Sequence, residues 1–247
     1  MNEPQAGARA PGGATGSEAA RWVRRMFSSV AGRYDLLNHL LSLNVDRWWR
    51  WKTVRRVGEI LARPGARVVD LCCGTGDLAL AMQRRCAAVV LGCDFSHEML
   101  RRAQHKAARQ RAQTAFFEAD ALQLPVADSS LDLVTAAFGF RNLADYRRGL
   151  QEILRVLKPS GVAAILEFSQ PANPLLAALY GFYSRRILPL VGGLISGSRE
   201  AYRYLPESVQ RFPGPEALAQ AMRQEGFRTV RYERLTGGIV VLHLAVK

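Results

Sequence analysis

The stretch VVDLCCGTGD places two glycines, Gly74 and Gly76, directly after an apolar run and ahead of a helical one. Glycines there let the backbone approach a ligand closely, and the helix that follows presents unpaired N–H groups to it. Alone this is a weak signal. Gly74-x-Gly76-x-x-Ala79 fits a dinucleotide fingerprint too, and Asp94, ending the next apolar run, can hold a ribose in either reading. Three carboxylates tilt the balance. Asp70 lies before Gly74, where it would repel a pyrophosphate but attract an ammonium. Asp94 offers two acceptor oxygens to a vicinal diol. Asp120, past the third apolar run, can accept from an exocyclic amine while the Ala121 N–H donates to a ring nitrogen. An amino-acid end, a ribose and an adenine together describe S-adenosylmethionine, the expected cofactor. Cys72 reads as a small buried apolar residue rather than a nucleophile.

Groups at successive strand ends need a sheet to carry them. The runs RVVDLC, AVVLGCD, TAFFEAD, LDLVTAAF and VAAILEF are separated by helical stretches starting near Asp77, Ser96 and Ala144, the pattern of a parallel sheet covered on both faces. A helix over Pro215–Gln224 then leads to RTVRYERL and GIVVLHLAV, whose short link Thr236-Gly237-Gly238 makes them an antiparallel pair. Seven strands ending in a hairpin resemble a class I methyltransferase sheet, an α/β Rossmann-like fold, more than a nicotinamide-binding domain. Ahead of the sheet, Glu18 to Ala62 is helical in period, with Trp22, Met26 and Val30 on one stripe and Trp48, Trp51, Val54 and Ile60 further on. Pro64-Gly65 marks the boundary. The expected organisation is a flexible tail over 1–17, a helical cap over 18–63 and a sheet domain over 64–247.

Composition narrows the function. The 247 residues, 49% hydrophobic and 22% charged, suffice for one core and exclude a mainly disordered chain. The net charge of +13 falls as +6 on residues 1–65, +2 on 66–169 and +5 on 170–247, so the flanks are basic and the cofactor region is nearly neutral. Arg is scattered without interleaved aromatics, which argues against nucleic acid and for transient contact with an anionic membrane surface. Cys72, Cys73, Cys86 and Cys93 have neither zinc-ligand spacing nor a disulfide pattern, so no metal is expected and a reducing cytoplasm is. Arg185 and Arg186 interrupt the apolar stretch Pro174–Gly197 and would cost roughly 5 kcal/mol at mid-bilayer, which excludes a spanning helix.

The segments YDLLNHLLSLNVDRWW (Tyr34 to Trp49), DLCCGTGD (Asp70 to Asp77), FGFRN (Phe138 to Asn142) and RVLKPSGVAAILEFS (Arg155 to Ser169) together resemble the ubiquinone/menaquinone biosynthesis C-methyltransferase family, from about Met26 to the C-terminus. The resemblance implies methyl transfer from S-adenosylmethionine to a ring carbon of a reduced polyprenyl quinone, most often demethylmenaquinol to menaquinol. Matched by motif, cofactor contacts fall on Thr75, Asp94, Asp120 and Ala121. There are departures: Ala137 stands for a common Ser, Asn44 and Ser160 for Gly, and Asp46 for the usual His. Cys72 stands where this class often has another Gly.

For the chemistry, Arg141 and Asn142 follow the fourth strand at the carboxyl edge of the sheet. A guanidinium is no simple base, but it can stabilise a phenolate, and Asn142 can orient a hydroxyl. Tyr34 can close over the ring. An insertion over about 170–214 is expected to form a lid whose Leu175, Leu176, Leu179, Phe182, Tyr183, Ile187, Leu188, Leu190 and Val191 line a trough for the tail, with Tyr202 and Tyr204 near the ring. A homodimer is a further expectation. Two other readings stay open: a methyltransferase for another lipid, sterol or phenol, and an S-adenosylmethionine-binding module without activity.

Overall fold

The computed structural model of the chain describes residues 7–9, 13–190 and 199–247. Four helices come first: α1 (Gly16–Val30), α2 (Tyr34–Leu41), α3 (Val45–Arg56) and α4 (Gly58–Leu61). The α/β part follows as β1 (Val68–Leu71), α5 (Asp77–Gln83), β2 (Val90–Asp94), α6 (His97–Gln110), β3 (Ala115–Glu118), β4 (Leu131–Ala137), α7 (Tyr146–Val156) and β5 (Leu157–Phe168). After β5 come α8 (Pro174–Phe182), a wide turn of helix over Tyr183–Ile187 and α9 (Arg199–Arg211). The chain closes with α10 (Pro215–Glu225), β6 (Thr229–Leu235) and β7 (Val240–Val246).

The strands form one seven-stranded sheet in the order β3-β2-β1-β4-β5-β7-β6. The first five pair in parallel, and β7 enters antiparallel between β5 and β6. Strand order reverses between β1 and β4, which opens a crevice at their carboxyl ends. The expected methyltransferase-type α/β sheet is what the chain forms.

Alternation along each strand feeds two cores. Val69 and Leu71 of β1 face a cluster with Phe140, Leu150, Ile153 and Leu218. Val68 faces the other, with Leu61, Leu78, Met82 and Leu133. Local signals start the helices where they are needed: Asp145 caps α7 by accepting from the Arg147 and Arg148 N–H groups, and Asn173 caps α8 ahead of Pro174.

The N-terminal segment departs from expectation. Ala8 is buried with Ala19, Val23 and Tyr204, and its N–H donates to the Leu143 carbonyl at 2.8 Å. At Ala8 the expected flexible tail is therefore packed, because a small side chain fits beside α1 and Tyr204, while Arg9, Gly13 and Thr15 are exposed; α1 itself begins at Gly16.

His243 sits on β7, buried, with Nε2 donating to the Pro215 carbonyl at 2.9 Å. Burial pushes its pKa down to about 4, against the smaller opposing pull of that carbonyl and of Glu216. The folded imidazole is neutral, so the unfolded chain binds the extra proton and stability is lost as pH falls from about 6.5 towards 4. We expect chemical denaturation to show wild type losing roughly 3 kcal/mol more than His243→Gln over that window, since glutamine keeps a donor for Pro215 without titrating.

Candidate active site

Two cavities open at the carboxyl edge of the sheet. The first, about 750 Å³, is walled by Gly74, Asp94, Asp120, Ala121 and Asn142 together with Phe95, Met99, Leu122 and Leu143. Asp94 is fixed at the end of β2: Oδ2 accepts the Gly74 N–H at 2.8 Å and Oδ1 the Ser96 N–H at 2.9 Å. Burial pushes its pKa up to about 6, and the N–H groups of Ser96, Gly74 and Phe95 pull against that. Asp120 is exposed and turns back on its own loop, accepting from the Leu122 N–H at 2.9 Å.

Backbone reaches the wall at Gly139, where an added Cβ would stand 2.4 Å from that of Cys72. Only glycine lets the loops after β1 and β4 come this close. Cys72 lines the cavity with φ 50°, and burial raises its thiol pKa well above the ordinary value, which leaves it un-ionised and inert as a nucleophile.

The second cavity, about 970 Å³, lies under the cap. Its walls come from α2 and α3 (Asn38, Leu41, Ser42, Asp46, Trp49, Arg50), from Arg141 and Phe168, and from Tyr180, Tyr183, Leu188 and Tyr204 beyond β5. Phe27, Tyr34 and Phe138 belong to both cavities, so the two meet there. Phe138 holds φ 60°, an unusual conformation for a bulky residue, at the junction itself. Its ring packs on Phe168 at 4.6 Å and on Trp49 at 5.8 Å.

Polar groups around this aromatic box are tightly held. Arg141 Nη1 donates to Glu167 Oε1 at 2.8 Å and to the Phe138 carbonyl, and its Nε donates to Ser208 at 3.2 Å. Tyr34 presents a phenol whose pKa burial raises, while the Asn38 hydrogen bond and the charges of Arg141 and Arg50 pull it down. It is therefore protonated at neutral pH and able to donate. Asn142 accepts from the Tyr204 hydroxyl at 3.1 Å.

The profile of the ubiE/COQ5 methyltransferase family matches residues 14–247. A demethylmenaquinone methyltransferase of Deinococcus radiodurans is 50% identical over 218 residues, covering 88% of this chain and 89% of the relative. The chain belongs to the ubiE/COQ5 methyltransferase family. A second demethylmenaquinone methyltransferase, from Thermus thermophilus, is 50% identical and covers 89% of this chain and 98% of its own. A ubiquinone/menaquinone biosynthesis C-methyltransferase from Syntrophotalea carbinolica is 48% identical, covering 90% and 92%. Among solved structures, the [4+2]-cyclase SpnF superposes with a TM-score of 0.67 at 17% identity, covering 100% of this chain and 99% of its own. A methyltransferase from Thermotoga maritima gives a TM-score of 0.62 at 20% identity, covering 90% and 99%; these two likenesses speak to fold alone.

This ubiE/COQ5 methyltransferase gathers Asp94, Asp120, Ala121, Gly74 and Asn142 on the first cavity, Arg141 on the second and Tyr34 on both. The donor set suits S-adenosylmethionine: a fixed carboxylate for the diol, Asp120 with Ala121 for the adenine edge, and apolar side chains for its faces. Thr75, Gly76 and Asp70 are not part of the wall. Thr75 is turned away to Asp35 and Lys106, and Asp70 lies beneath the turn, accepting from Thr135 Oγ1 at 2.6 Å. Burial pushes Asp70 up to about 7, only partly offset by Thr135 and the Ala79 N–H, so it is a poor fixed anion for an ammonium.

The apolar trough is also corrected. Tyr183 and Leu188 line the second cavity, but Leu175, Leu179, Phe182, Ile187 and Leu190 are exposed; on α8 it is Tyr180 that meets the cavity. Val191, Gly197 and the Tyr202 side chain lie outside the described residues.

Sequence reading missed Arg50, which lines the second cavity and is held by Asp46 and, at 3.6 Å, by Asp77. Its spacing four residues after Asp46 on a helix was the available signal. Asp46, in place of the family's usual His, is met at 2.8 Å by His39 Nδ1, so an imidazole is present after all, supplied by α2.

Asp94→Asn is expected to weaken S-adenosylmethionine binding by roughly 10- to 100-fold in titration calorimetry, the value of a charge-assisted hydrogen bond. Wild-type affinity should itself decline as pH falls through about 6, where Asp94 gains its proton.

Proposed function

We propose that this methyltransferase methylates a ring carbon of a reduced polyprenyl quinone, with demethylmenaquinol as acceptor and menaquinol as product. It is an S-adenosylmethionine-dependent C-methyltransferase of quinone biosynthesis, and the benzoquinol of the ubiquinone pathway is a second acceptor of the same chemistry. What carries the reading is the junction at Tyr34, Phe27 and Phe138, where an aromatic-walled cavity with two arginines meets the cavity suited to the cofactor. The names of relatives with 48–50% identity support it. A sterol or a plain lipid would have no use for Arg141 and Arg50, which favours a phenolic acceptor.

When bound, S-adenosylmethionine supplies a methyl group already activated by its sulfonium. The protein's task is to make the ring carbon nucleophilic and keep it in place. A hydroquinone hydroxyl that gives up its proton pushes charge onto the neighbouring carbon, which a quinone cannot do. Arg141 and Arg50 line the cavity as fixed guanidinium groups, each already paired with carboxylates, whose remaining N–H groups can donate to the phenolate oxygen, and Tyr34 donates a hydrogen bond beside it. Asn142, anchored by Tyr204, orients a hydroxyl at the junction. The methylated carbon then sheds its ring proton and restores the aromatic ring.

In this reading residues 18–63 cap the site, 64–247 form the cofactor-binding domain, and about 170–214 make the substrate lid. A polyprenyl acceptor resides in a bilayer, so the enzyme works on the cytoplasmic side in transient contact with an anionic membrane. No described helix is long and apolar enough to cross one.

The quinone profile of cells lacking the protein tests the acceptor: demethylmenaquinone accumulates if the reading holds, and an unchanged profile rejects it. With purified enzyme, Tyr34→Phe should lower kcat on demethylmenaquinol by about 100-fold, the usual value of one such donor, with cofactor affinity changed less than about threefold. Equal loss of cofactor binding would remove Tyr34 from the chemistry.

A further inference from the structure

Exposed large hydrophobic side chains are not scattered over this protein. Among the described residues, ten of the eleven fall in two stretches, 36–51 and 175–190. Leu43 is 81% exposed, Leu175 71% and Phe182 61%. Scattered single exposures need no explanation, but concentration on two segments does. The stretches are joined: the Tyr183 hydroxyl donates to the Leu41 carbonyl at 2.6 Å, and Leu188 is buried against Leu41, Tyr183 and Leu205. Their inward side chains are the walls of the second cavity. One layer of helix thus has the ring site on its inner side and an apolar surface on its outer side.

The charge on this layer is mainly basic: the acids on or beside it, Asp35 and Glu233, are paired with Lys106 and with Lys52 and Arg56. No Asp or Glu occurs between Glu167 and Glu200, a span that holds Arg185, Arg186 and Arg199. On α3 the one acid, Asp46, is buried, while the Arg55 guanidinium lies 4.8 Å over the exposed Trp51 ring and the Lys52 ammonium 5.6 Å over that of Trp48. Aromatic rings with cations beside them suit the zone where acyl chains meet headgroups, with the cations reaching outwards to anions.

We propose that the outer face of α2, the Ser42–Asn44 turn, α3, and the α8 segment through Leu190 docks on an anionic lipid bilayer, seating the mouth of the ring cavity at the membrane. The proposal rests on the polyprenyl acceptor argued above and assigns the surface that meets it. A second copy of the chain is a poorer occupant. A two-fold contact sets the same patch against itself, so Arg185, Arg186 and Arg55 would be brought against a second patch of the same positive charge. An anionic surface neutralises them instead.

The test is flotation of the full-length enzyme with vesicles of phosphatidylcholine alone and of phosphatidylcholine with phosphatidylglycerol, at low and high salt. Wild type should float with the anionic vesicles at low salt and be released by high salt. Leu43→Glu/Phe182→Glu should lower that partition by about tenfold or more. Arg185→Gln/Arg186→Gln, exposed charges whose loss leaves folding intact, should lower it by a similar factor. Both variants should keep wild-type turnover on a tail-less demethylnaphthoquinol in solution while losing turnover on vesicle-embedded acceptor.

Docking is overturned if wild type ignores anionic vesicles, or if both variants float as well as wild type. It is likewise overturned if light scattering shows a wild-type dimer that Leu43→Glu/Phe182→Glu makes monomeric, or if that variant changes only melting temperature. Should flotation succeed while no quinol is methylated in any format, the acceptor reading fails and the docking surface stands.

Discussion

The cap is joined to the Gly-rich turn by one chain of alternating charges, and the site depends on it. Asp46 and Asp77 flank Arg50, and Asp77 and Asp35 flank Lys106, whose ammonium also reaches Thr75 at 3.1 Å. These groups come from α2, α3, α5, α6 and the turn itself. Burial would raise the carboxyls of Asp46 and Asp77, yet both are held below the usual range, Asp46 by the Ser42 hydroxyl and Arg50, Asp77 by Arg50 and Lys106. A buried charge left without its partner costs several kcal/mol, so Asp46 and Arg50, the buried links, require each other most. The consequence is geometric: with α2 tied down through Asp35, the Tyr34 ring lies over Gly74, 3.8 Å from where a Cβ would be, and becomes the shared wall of two cavities.

That chain also explains which residues could be read from the sequence. The placement of Asp94, Asp120 and Ala121 on the first cavity was legible because the end of a parallel strand fixes its position in the sheet, and the strands were legible from their apolar runs. Thr75 was not. Its place in the motif suggests a ligand, but its hydroxyl is committed to Asp35 and Lys106, groups 40 and 31 residues away that no local pattern connects to it. Arg50 was hidden for the same reason, since its role depends on Asp77 from another helix. The outward turn of α8 was hidden differently: a segment apolar all round does not reveal which side faces the core.

Three departures from the family pattern have one physical account. Asn44, Cys72 and Ser160 replace expected glycines, and all three hold positive φ, at 61°, 50° and 64°. The backbone keeps its shape and the side chains bear the strain, least for Asn, which tolerates this region best. At Asn44 the turn lets α3 start where Asp46 can reach both Ser42 and His39. At Cys72 the cost falls beside Gly139 on the cofactor cavity wall, where a larger side chain would have no room. Ser160 holds its positive φ in a turn whose N–H donates to the Lys247 carbonyl, outside the walls of both cavities.

The two arginines of the ring cavity are placed to different ends. Arg141 is locked to Glu167, to the Phe138 carbonyl and to Ser208, with its guanidinium 5.4 Å over Phe168, so its charge is neutralised within the protein and its geometry is rigid. Removing it would leave Glu167, 2% exposed, as an unpaired buried carboxylate, and would release the carbonyl that helps hold Phe138 at positive φ. Loss of activity in such a variant would therefore report collapse of the junction as much as loss of a charge near a phenolate. Arg50 belongs to the ionic chain that fixes the cap, and through that chain the charge near the acceptor depends on the cap being closed. A site built this way has its electrostatics in place only when the helices that exclude water are seated, which is the condition under which a phenolate stays a nucleophile and fixed charges act at full strength.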